Sequence, residues 1–165
     1  MTREEFMQAR RFAFADIHRE LALAKVSESP VGATGLAALG LPTGGGNFLA
    51  ALGLLCYTEF GGKLKYNCKR RDGKDHASEN FNKFFDELGV PYRDLRAAGH
   101  DIYDIFRCGL AHEYYVKKAC EIVIVSPNAN AGIVIGPNGR YIFIVEKYCE
   151  DLERQFDALE KALFP

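Results

Sequence analysis

The stretch DIYDIFRCGLAHEYY at 101–115 holds the residues with the clearest capacity for chemistry, because Arg107 is followed after four residues by His112. An arginine fork can grip a phosphate, and a histidine that titrates near neutral pH can give or take a proton. These two groups suffice for RNA cleavage without a metal, since the ribose 2′-hydroxyl supplies the nucleophile. The pair therefore predicts a site that handles a phosphate.

The spacing of this pair is weak evidence by itself, since Arg71 and His76 repeat it. Arg107 and His112 differ in their context: an amphipathic stretch precedes them, Gly109 lies between them, and Glu-Tyr-Tyr follows. On an unbroken α-helix, residues five positions apart point about 140° apart. We therefore expect a bend near Gly109, or a second protomer, to bring an arginine and a histidine together.

The same stretch offers two other chemistries. Asp104, Cys108 and His112 are spaced so that one side of a helix could present them to zinc. No second ligand pair accompanies them, and a thiol among apolar neighbours is ordinarily a buried free cysteine, so we predict no metal and no cofactor. Cys108 and His112 also have the residue types of a nucleophile and its base, but the chain has no GxSxG turn and no evident orienting acid.

A structural role for the pair is a further alternative. Arg107 would then form an ion pair with Asp104 or Glu113, and His112 would pack at a helix end. Under the chemical interpretation, Asp104, Cys108 and Glu113 are the supporting residues around the pair.

Basic side chains that could contact RNA occur in two places. The densest positive run of the chain is 63–74, and two lysines follow the Arg107 motif. A solvated loop is the ordinary interpretation of such a run, whereas a phosphate-contacting surface is the functional one, with Tyr66 available to stack on a base. The predicted substrate-binding residues are Lys69, Arg70, Arg71, Lys117 and Lys118.

The composition predicts one globular domain over residues 1–165, because 48 % of the chain is hydrophobic and 26 % is charged. With a formal net charge of -1, no overall field draws the chain to nucleic acid or to an anionic membrane, so any polyanion contact must be local. The longest strongly apolar run, Phe48 to Cys56, is about half of a bilayer crossing, and no export signal is visible. Five scattered cysteines without a CxxC pair favour free thiols and a cytoplasmic location.

Hydrophobic periodicity predicts mainly α-helical structure. Apolar positions three or four residues apart predict helices over 2–26, 47–60, 79–88 and 100–118, a further turn over 91–95, and a last helix from 145. The segment 27–46 is rich in Gly, Pro and Ser and predicts a loop. We expect the Gly61-Gly62 pair to end the second helix and Ser78 to cap the third.

Period-two patterns with β-branched residues predict three short strands, at 121–125, 132–136 and 141–145. A Pro-Asn-Gly turn at 137–139 joins the last two. The expected architecture is an antiparallel helical bundle with a small three-stranded antiparallel β-meander inserted before the C-terminal helix.

The sequence resembles the HEPN superfamily, whose members carry an Arg, four to six residues and a His near the start of a late helix. The resemblance rests on FRCGLAHEYY at 106–115, on the order of helices and, loosely, on GGGNFLAALGLL at 44–55. It implies a single HEPN-like domain and a homodimer in which the two motifs face each other. Many members are metal-independent endoribonucleases of toxin, antiphage or RNA-processing systems. By resemblance, Arg107 would hold the scissile phosphate and His112 would serve as acid or base.

Other members of the superfamily are thought to be non-catalytic modules, and this chain departs from the active pattern in one position. The residue after the motif Arg is usually polar in active members, whereas here it is Cys108. The alternative function is therefore a module that binds a nucleotide, RNA or a partner protein through the same cleft. A third interpretation is that the chain is one half of a two-gene toxin system, silenced by a nucleotidyltransferase-like partner protein.

Overall fold

The computed structural model describes residues 1–113 and 118–165, except for the side chain of Glu113. Within them the protein is mainly helical, with a small three-stranded mixed sheet. The α-helices are α1 (Arg3–Ser27), α2 (Pro30–Ala38), α3 (Asn47–Tyr66), α4 (Ala77–Asp86), α5 (Val90–Ala97) and α6 (Val145–Leu163). A π-helix spans Tyr103–Glu113, and the strands are β1 (Cys120–Val123), β2 (Ile133–Ile135) and β3 (Tyr141–Ile144).

Helix α3 is the centre of the bundle, as its nearly continuous apolar sequence predicts. It packs against α1, α4, α6 and the π-helix, and Leu54 and Leu55 are fully buried. The expected stop at Gly61-Gly62 is wrong, because α3 continues to Tyr66. A Cβ atom at Gly62 would lie 2.0 Å from the backbone oxygen of Asn80 in α4. The two glycines thus allow α3 and α4 to pack closely and do not end the helix.

Helices α1 and α6 form the second layer and confirm the predictions for both ends of the chain. Thr2 and Glu5 close the start of α1 with a capping box. Phe156 of α6 packs against Phe6 and Phe14 of α1, with ring centroids 6.1 and 5.5 Å apart. Burial of these aromatic faces holds the terminal helices together.

Three local predictions need correction. The segment 27–46 is not all loop, because Ser29 accepts a hydrogen bond from the Gly32 amide and Pro30 opens α2, whose Leu36 is buried. Helix α4 begins at Ala77, so Ser78 lies inside it and is not its cap. The turn expected over 91–95 is a longer helix, α5. In each case a helix forms where local Gly, Pro or Ser content suggests a break.

The sheet is not an antiparallel meander. Its order is β1-β3-β2, with β1 parallel to β3 and β2 antiparallel to β3. The predicted hairpin between β2 and β3 is confirmed, and Gly139 adopts a φ of 69° in its turn. The alternating pattern identifies strands but does not fix their order, which here depends on β1 docking beside α3 through Asn47 Nδ2, 2.8 Å from the Ile122 oxygen.

The π-helix is held between the sheet and α4. Phe106 packs against Tyr141 and Phe143 of β3 at centroid distances of 5.7 and 5.6 Å. Tyr103 contacts Phe81 of α4 at 5.3 Å. Among residues 1–113 and 118–165, no helix combines the length and the apolar character that a bilayer crossing requires.

Candidate functional site

The π-helix changes the geometry of the predicted Arg-His pair. The segment expected to be an α-helix over 100–118 is a π-helix over Tyr103–Glu113, and residues 114–117 lie outside the described part of the chain. Its hydrogen bonds run from residue i to i+5, which gives about 4.4 residues per turn. Arg107 and His112 are five positions apart, so they point about 50° apart, not about 140°. Wider winding along the whole segment, and not a local bend at Gly109, therefore places the pair on one side.

The apolar residues of this segment fit the wider winding. Ile105, Phe106 and Leu110 are buried, and intervals of four and five residues return to the same side of a π-helix. At the start of the π-helix, Asp101 Oδ1 accepts a hydrogen bond from the Asp104 amide at 3.0 Å. The buried side thus faces the core while the opposite side carries His112, which is exposed.

Arg107 is held by an acidic residue of another helix. Its Nε lies 2.8 Å from Oε2 of Glu59 in α3, and about one fifth of each side chain is exposed. The guanidinium carbon lies 5.8 Å from the ring centroid of Tyr103. Glu59 is the candidate site residue that the sequence analysis missed. The available signal was that α3 contains no other acidic residue.

Arg107 is a cation paired with the Glu59 carboxylate, and the tyrosine and the thiol beside this pair are neutral. Burial lowers the pKa of Arg107, but Glu59 raises it, and the net pKa is above its ordinary value. Burial, followed by the charge of Glu59, raises the pKa of Tyr103, and burial raises the pKa of the Cys56 thiol. At neutral pH the tyrosine and the thiol are therefore uncharged beside a charged guanidinium.

The guanidinium keeps donors for a ligand. Arginine carries five N–H donors, and Glu59 lies against the single one on Nε. The four donors on Nη1 and Nη2 make no hydrogen bond to another residue in the described part of the chain. These four donors can bind two oxygens of a phosphate.

The predicted supporting residues have different surroundings. Asp104 is exposed, and Cys108 is half-buried and shares a hydrogen bond with Tyr103. The side chain of Glu113 lies outside the described residues. Within the described residues, Asp104, Cys108 and His112 do not form a group close enough to share a metal ion.

The basic loop between α3 and α4 is folded and partly neutralised. Asp75 pairs with both Lys63 and Lys69, and hydrogen bonds from these two lysines lower its pKa to about 2. Arg70 and Arg71 are exposed and make no ion pair with any residue in 1–113 or 118–165. Of the loop residues predicted to bind substrate, these two arginines are the ones that offer an uncompensated charge.

The loop and the end of the π-helix lie toward opposite ends of α3. Tyr103 begins the π-helix beside α4, Arg107 reaches Glu59, and Ile122 beyond it reaches Asn47 at the start of α3. The π-helix thus runs antiparallel to α3, away from the loop. The eight residues from Glu59 to the loop at Asn67 span about 12 Å along the helix axis. The structure does not bring the loop and His112 together.

The structure also locates two other residues that the sequence predicts to contact RNA, Lys118 and Tyr66. Lys118 is exposed, with its Nζ 5.9 Å from the ring centroid of Tyr141, the residue that also contacts Phe106. It therefore lies beside the π-helix, whereas Lys117 lies outside the described residues. Tyr66, the candidate for base stacking, hydrogen-bonds with Glu87.

Comparisons with protein-family models, with curated proteins and with solved structures find no match. Function is therefore inferred from the geometry of the Arg107 site.

Proposed function

We propose that the protein is a cytoplasmic, HEPN-like, metal-independent endoribonuclease that acts on single-stranded RNA through Arg107 and His112. The observation that carries this proposal is the π-helix. Its i→i+5 repeat equals the interval between the two residues, so one helical segment presents a phosphate-binding cation and a proton-transfer group on one side. π-helical segments are rare and occur frequently at functional sites.

The proposed reaction needs no group from outside the protein and its RNA. Arg107 binds two oxygens of the scissile phosphate through Nη1 and Nη2. His112 accepts the proton of the 2′-hydroxyl, whose oxygen forms a bond to phosphorus. The bond from phosphorus to the 5′-oxygen breaks, and a second, protonated His112 from the other protomer gives that oxygen a proton. The products are a 2′,3′-cyclic phosphate and a 5′-hydroxyl end.

Glu59 has a positioning role in this proposal. Glu59 Oε2 lies 2.8 Å from Nε, but neither of these two buried atoms makes a hydrogen bond within the described residues. The carboxylate therefore holds the guanidinium beside α3 by charge, and the donors on Nη1 and Nη2 stay available for a ligand. It also stabilises the charge of Arg107 in a site that is four-fifths covered. A preoriented cation loses less entropy on binding a phosphate than a freely rotating side chain does.

An apolar surface supports the proposed homodimer. Residues 29–58 contain no charged side chain in a chain that is 26 % charged. Val31, Leu39, Phe48 and Leu49 in this segment are at least half exposed. Exposed apolar side chains are a feature of interaction sites, and an uncharged segment meets its own copy without like-charge repulsion. The segment includes the start of α3.

A non-catalytic binding module is the second candidate, and two observations favour it. The charge of Arg107 is already compensated by Glu59. Cys108, which replaces the usual polar residue, is a weak hydrogen-bond donor and is half-buried. Such a site would bind a nucleotide, RNA or a partner protein without cleaving a bond.

Cleavage of labelled single-stranded RNA in the presence of a chelator tests the choice between the two. The endoribonuclease produces 2′,3′-cyclic phosphate ends and loses activity in His112→Ala with its fold intact. A module binds the RNA and leaves it uncut in both proteins.

A further inference from the structure

A series of ion pairs connects α1 and α6, and one pair in the series differs from the others in its residue types. The helices run antiparallel, and the pairs along them are Arg3–Glu160, Arg10–Asp157, His18–Glu153 and Lys25–Glu146. Three of these four pairs use an arginine or a lysine. The remaining one uses a histidine, which can also bind a metal.

A thiol beside the His18–Glu153 pair completes a group of three side chains that can bind a metal. Nε2 of His18 lies 3.1 Å from Oε1 of Glu153, and the ligand atoms of His18, Cys149 and Glu153 all lie within 4.8 Å of one another. Cys149 and Glu153 are four residues apart in α6, so they share one side of that helix. His18 approaches from α1. The three residues are far apart in sequence, which is why no spacing motif reveals them.

The Cys149 thiol is a buried polar group without a partner. The residue is only 1 % exposed, and within 1–113 and 118–165 its sulfur makes no hydrogen bond. It nevertheless lines an open cavity of about 310 Å³, together with His18, Glu153 and two further glutamates, Glu146 and Glu150. A thiol that lines a cavity beside an imidazole and a carboxylate belongs to a donor set that suits a soft or borderline cation.

We propose that His18, Cys149 and Glu153 bind a zinc ion that ties α1 to α6. Zinc takes nitrogen, sulfur and oxygen ligands in a tetrahedron, with metal–ligand distances of about 2.0 to 2.3 Å. Ligand atoms in such a tetrahedron lie about 3.3 to 3.6 Å apart. The His18–Glu153 separation of 3.1 Å is close to this value. The thiol lies within 4.8 Å of both other ligand atoms, so it must approach them by up to about 1.3 Å. Water from the cavity would supply the fourth ligand.

The acidic side chains beside the group are themselves paired. Glu146 and Glu150 line the same cavity and form ion pairs with Lys25 and Lys147, respectively. The donor atoms of the group, and not the surrounding charges, therefore favour a cation. The mixed sulfur, nitrogen and oxygen donor set favours zinc or cobalt over magnesium and calcium, which prefer oxygen ligands. The site lies on α1 and α6 and uses no residue of the Arg107 site, so it does not depend on the proposed endoribonuclease activity.

Cobalt titration of the full-length, chelator-stripped protein tests the site. One equivalent of Co²⁺ is expected to produce a thiolate-to-cobalt absorption band, which zinc then abolishes by displacement. Cys149→Ser should remove the band, whereas Cys68→Ser, which alters a thiol in the basic loop, should keep it. His18→Ala should weaken cobalt binding at least tenfold, since loss of even an outer partner of a ligand costs about that much.

Thermal stability provides a second test in case Cys149→Ser does not fold. His18 has a side chain that is 54 % exposed, so His18→Ala leaves the core intact. Zinc should raise the Tm of the wild-type protein and of Cys68→Ser but not that of His18→Ala. The proposal is overturned if wild-type protein shows no thiolate band, if the band survives in folded Cys149→Ser, or if zinc raises the Tm of His18→Ala as much as that of wild type.

Discussion

Glu59 Oε2 of α3 and Arg107 Nε of the π-helix lie 2.8 Å apart, so the central helix of the bundle holds the cation of the candidate site. The two residues are far apart in sequence, and both side chains are mostly buried. The contact fixes Arg107 relative to α3, while His112 follows one π-helical repeat later. The geometry of the pair therefore depends on how the π-helix packs against α3.

Removal of the Glu59 carboxylate should impair cleavage by releasing Arg107. We expect Glu59→Ala to lower kcat/KM for RNA by about tenfold, because the guanidinium must then be ordered by the substrate. Glu59→Gln, which keeps a hydrogen-bond acceptor, should lose less. The free energy of unfolding should fall by more than the roughly 1 kcal/mol of an exposed pair in Glu59→Ala, since both side chains are mostly covered and the charge of Arg107 loses its partner. Faster cleavage by Glu59→Ala would show instead that Glu59 restrains Arg107 from the RNA.

Two neighbouring basic residues of the loop should differ in their contribution to RNA binding. Arg71 is exposed and unpaired within the described residues, whereas Lys69 is neutralised by Asp75. Arg71→Ala should reduce the slope of log affinity against log salt by about one, and Lys69→Ala should leave it nearly unchanged. The measurement is fluorescence anisotropy of labelled RNA at several salt concentrations, in a His112→Ala background that prevents cleavage. Equal slopes for Arg71→Ala and wild type would remove the loop from the RNA-binding surface.

The uncharged surface around α2 and the start of α3 should mediate self-association. Leu49 is 70 % exposed in the first turn of α3, where a glutamate is compatible with the helix dipole. Leu49→Glu should therefore fold and raise the dissociation constant of the dimer at least tenfold, an effect of roughly 1.4 kcal/mol. Val90→Glu is the matched control, because Val90 is 57 % exposed at the start of α5. Sedimentation equilibrium measures both, and an unchanged dimer in Leu49→Glu would place the interface elsewhere.

The close contact of α3 with α4 predicts that one added methyl group at this contact lowers the stability of the protein. A Cβ at Gly62 would overlap the Asn80 oxygen, whereas a Cβ at Gly35 meets nothing within 4 Å. Gly62→Ala should lower the free energy of unfolding by about 2 kcal/mol or more through overpacking. Gly35→Ala should raise it by about 0.5 to 1 kcal/mol, because alanine favours the helical backbone. Chemical denaturation measures both, and equal stability of the two variants would contradict the tight contact.

Elements with a local cause were predictable from the sequence. Helices α1 and α6 follow from long amphipathic periods, and the β2–β3 hairpin follows from its Pro-Asn-Gly turn. The central position of α3 follows from its apolar sequence. These features depend on residues that are neighbours along the chain, so a pattern can reveal them.

Features with a tertiary cause were not predictable. Gly61 and Gly62 have the appearance of a helix stop, yet they serve the packing of α4. The parallel pairing of β1 with β3 depends on the docking of β1 beside Asn47. The Glu59 contact with Arg107 joins residues 48 positions apart. No single-sequence period distinguishes a π-helix from an α-helix over one short segment, so the orientation of His112 required the structure.

The most direct test compares RNA cleavage by wild-type protein, His112→Ala and His76→Ala in chelator, after circular dichroism shows that all three are folded. His76 is the matched control, because it stands five residues after Arg71 but lies outside the π-helix. We expect wild type and His76→Ala to release fragments with 2′,3′-cyclic phosphate ends, and we expect no fragments from His112→Ala. Equal cleavage by wild type and His112→Ala, or no cleavage by any of the three at high concentration, would contradict the assignment of Arg107 and His112 as a catalytic pair.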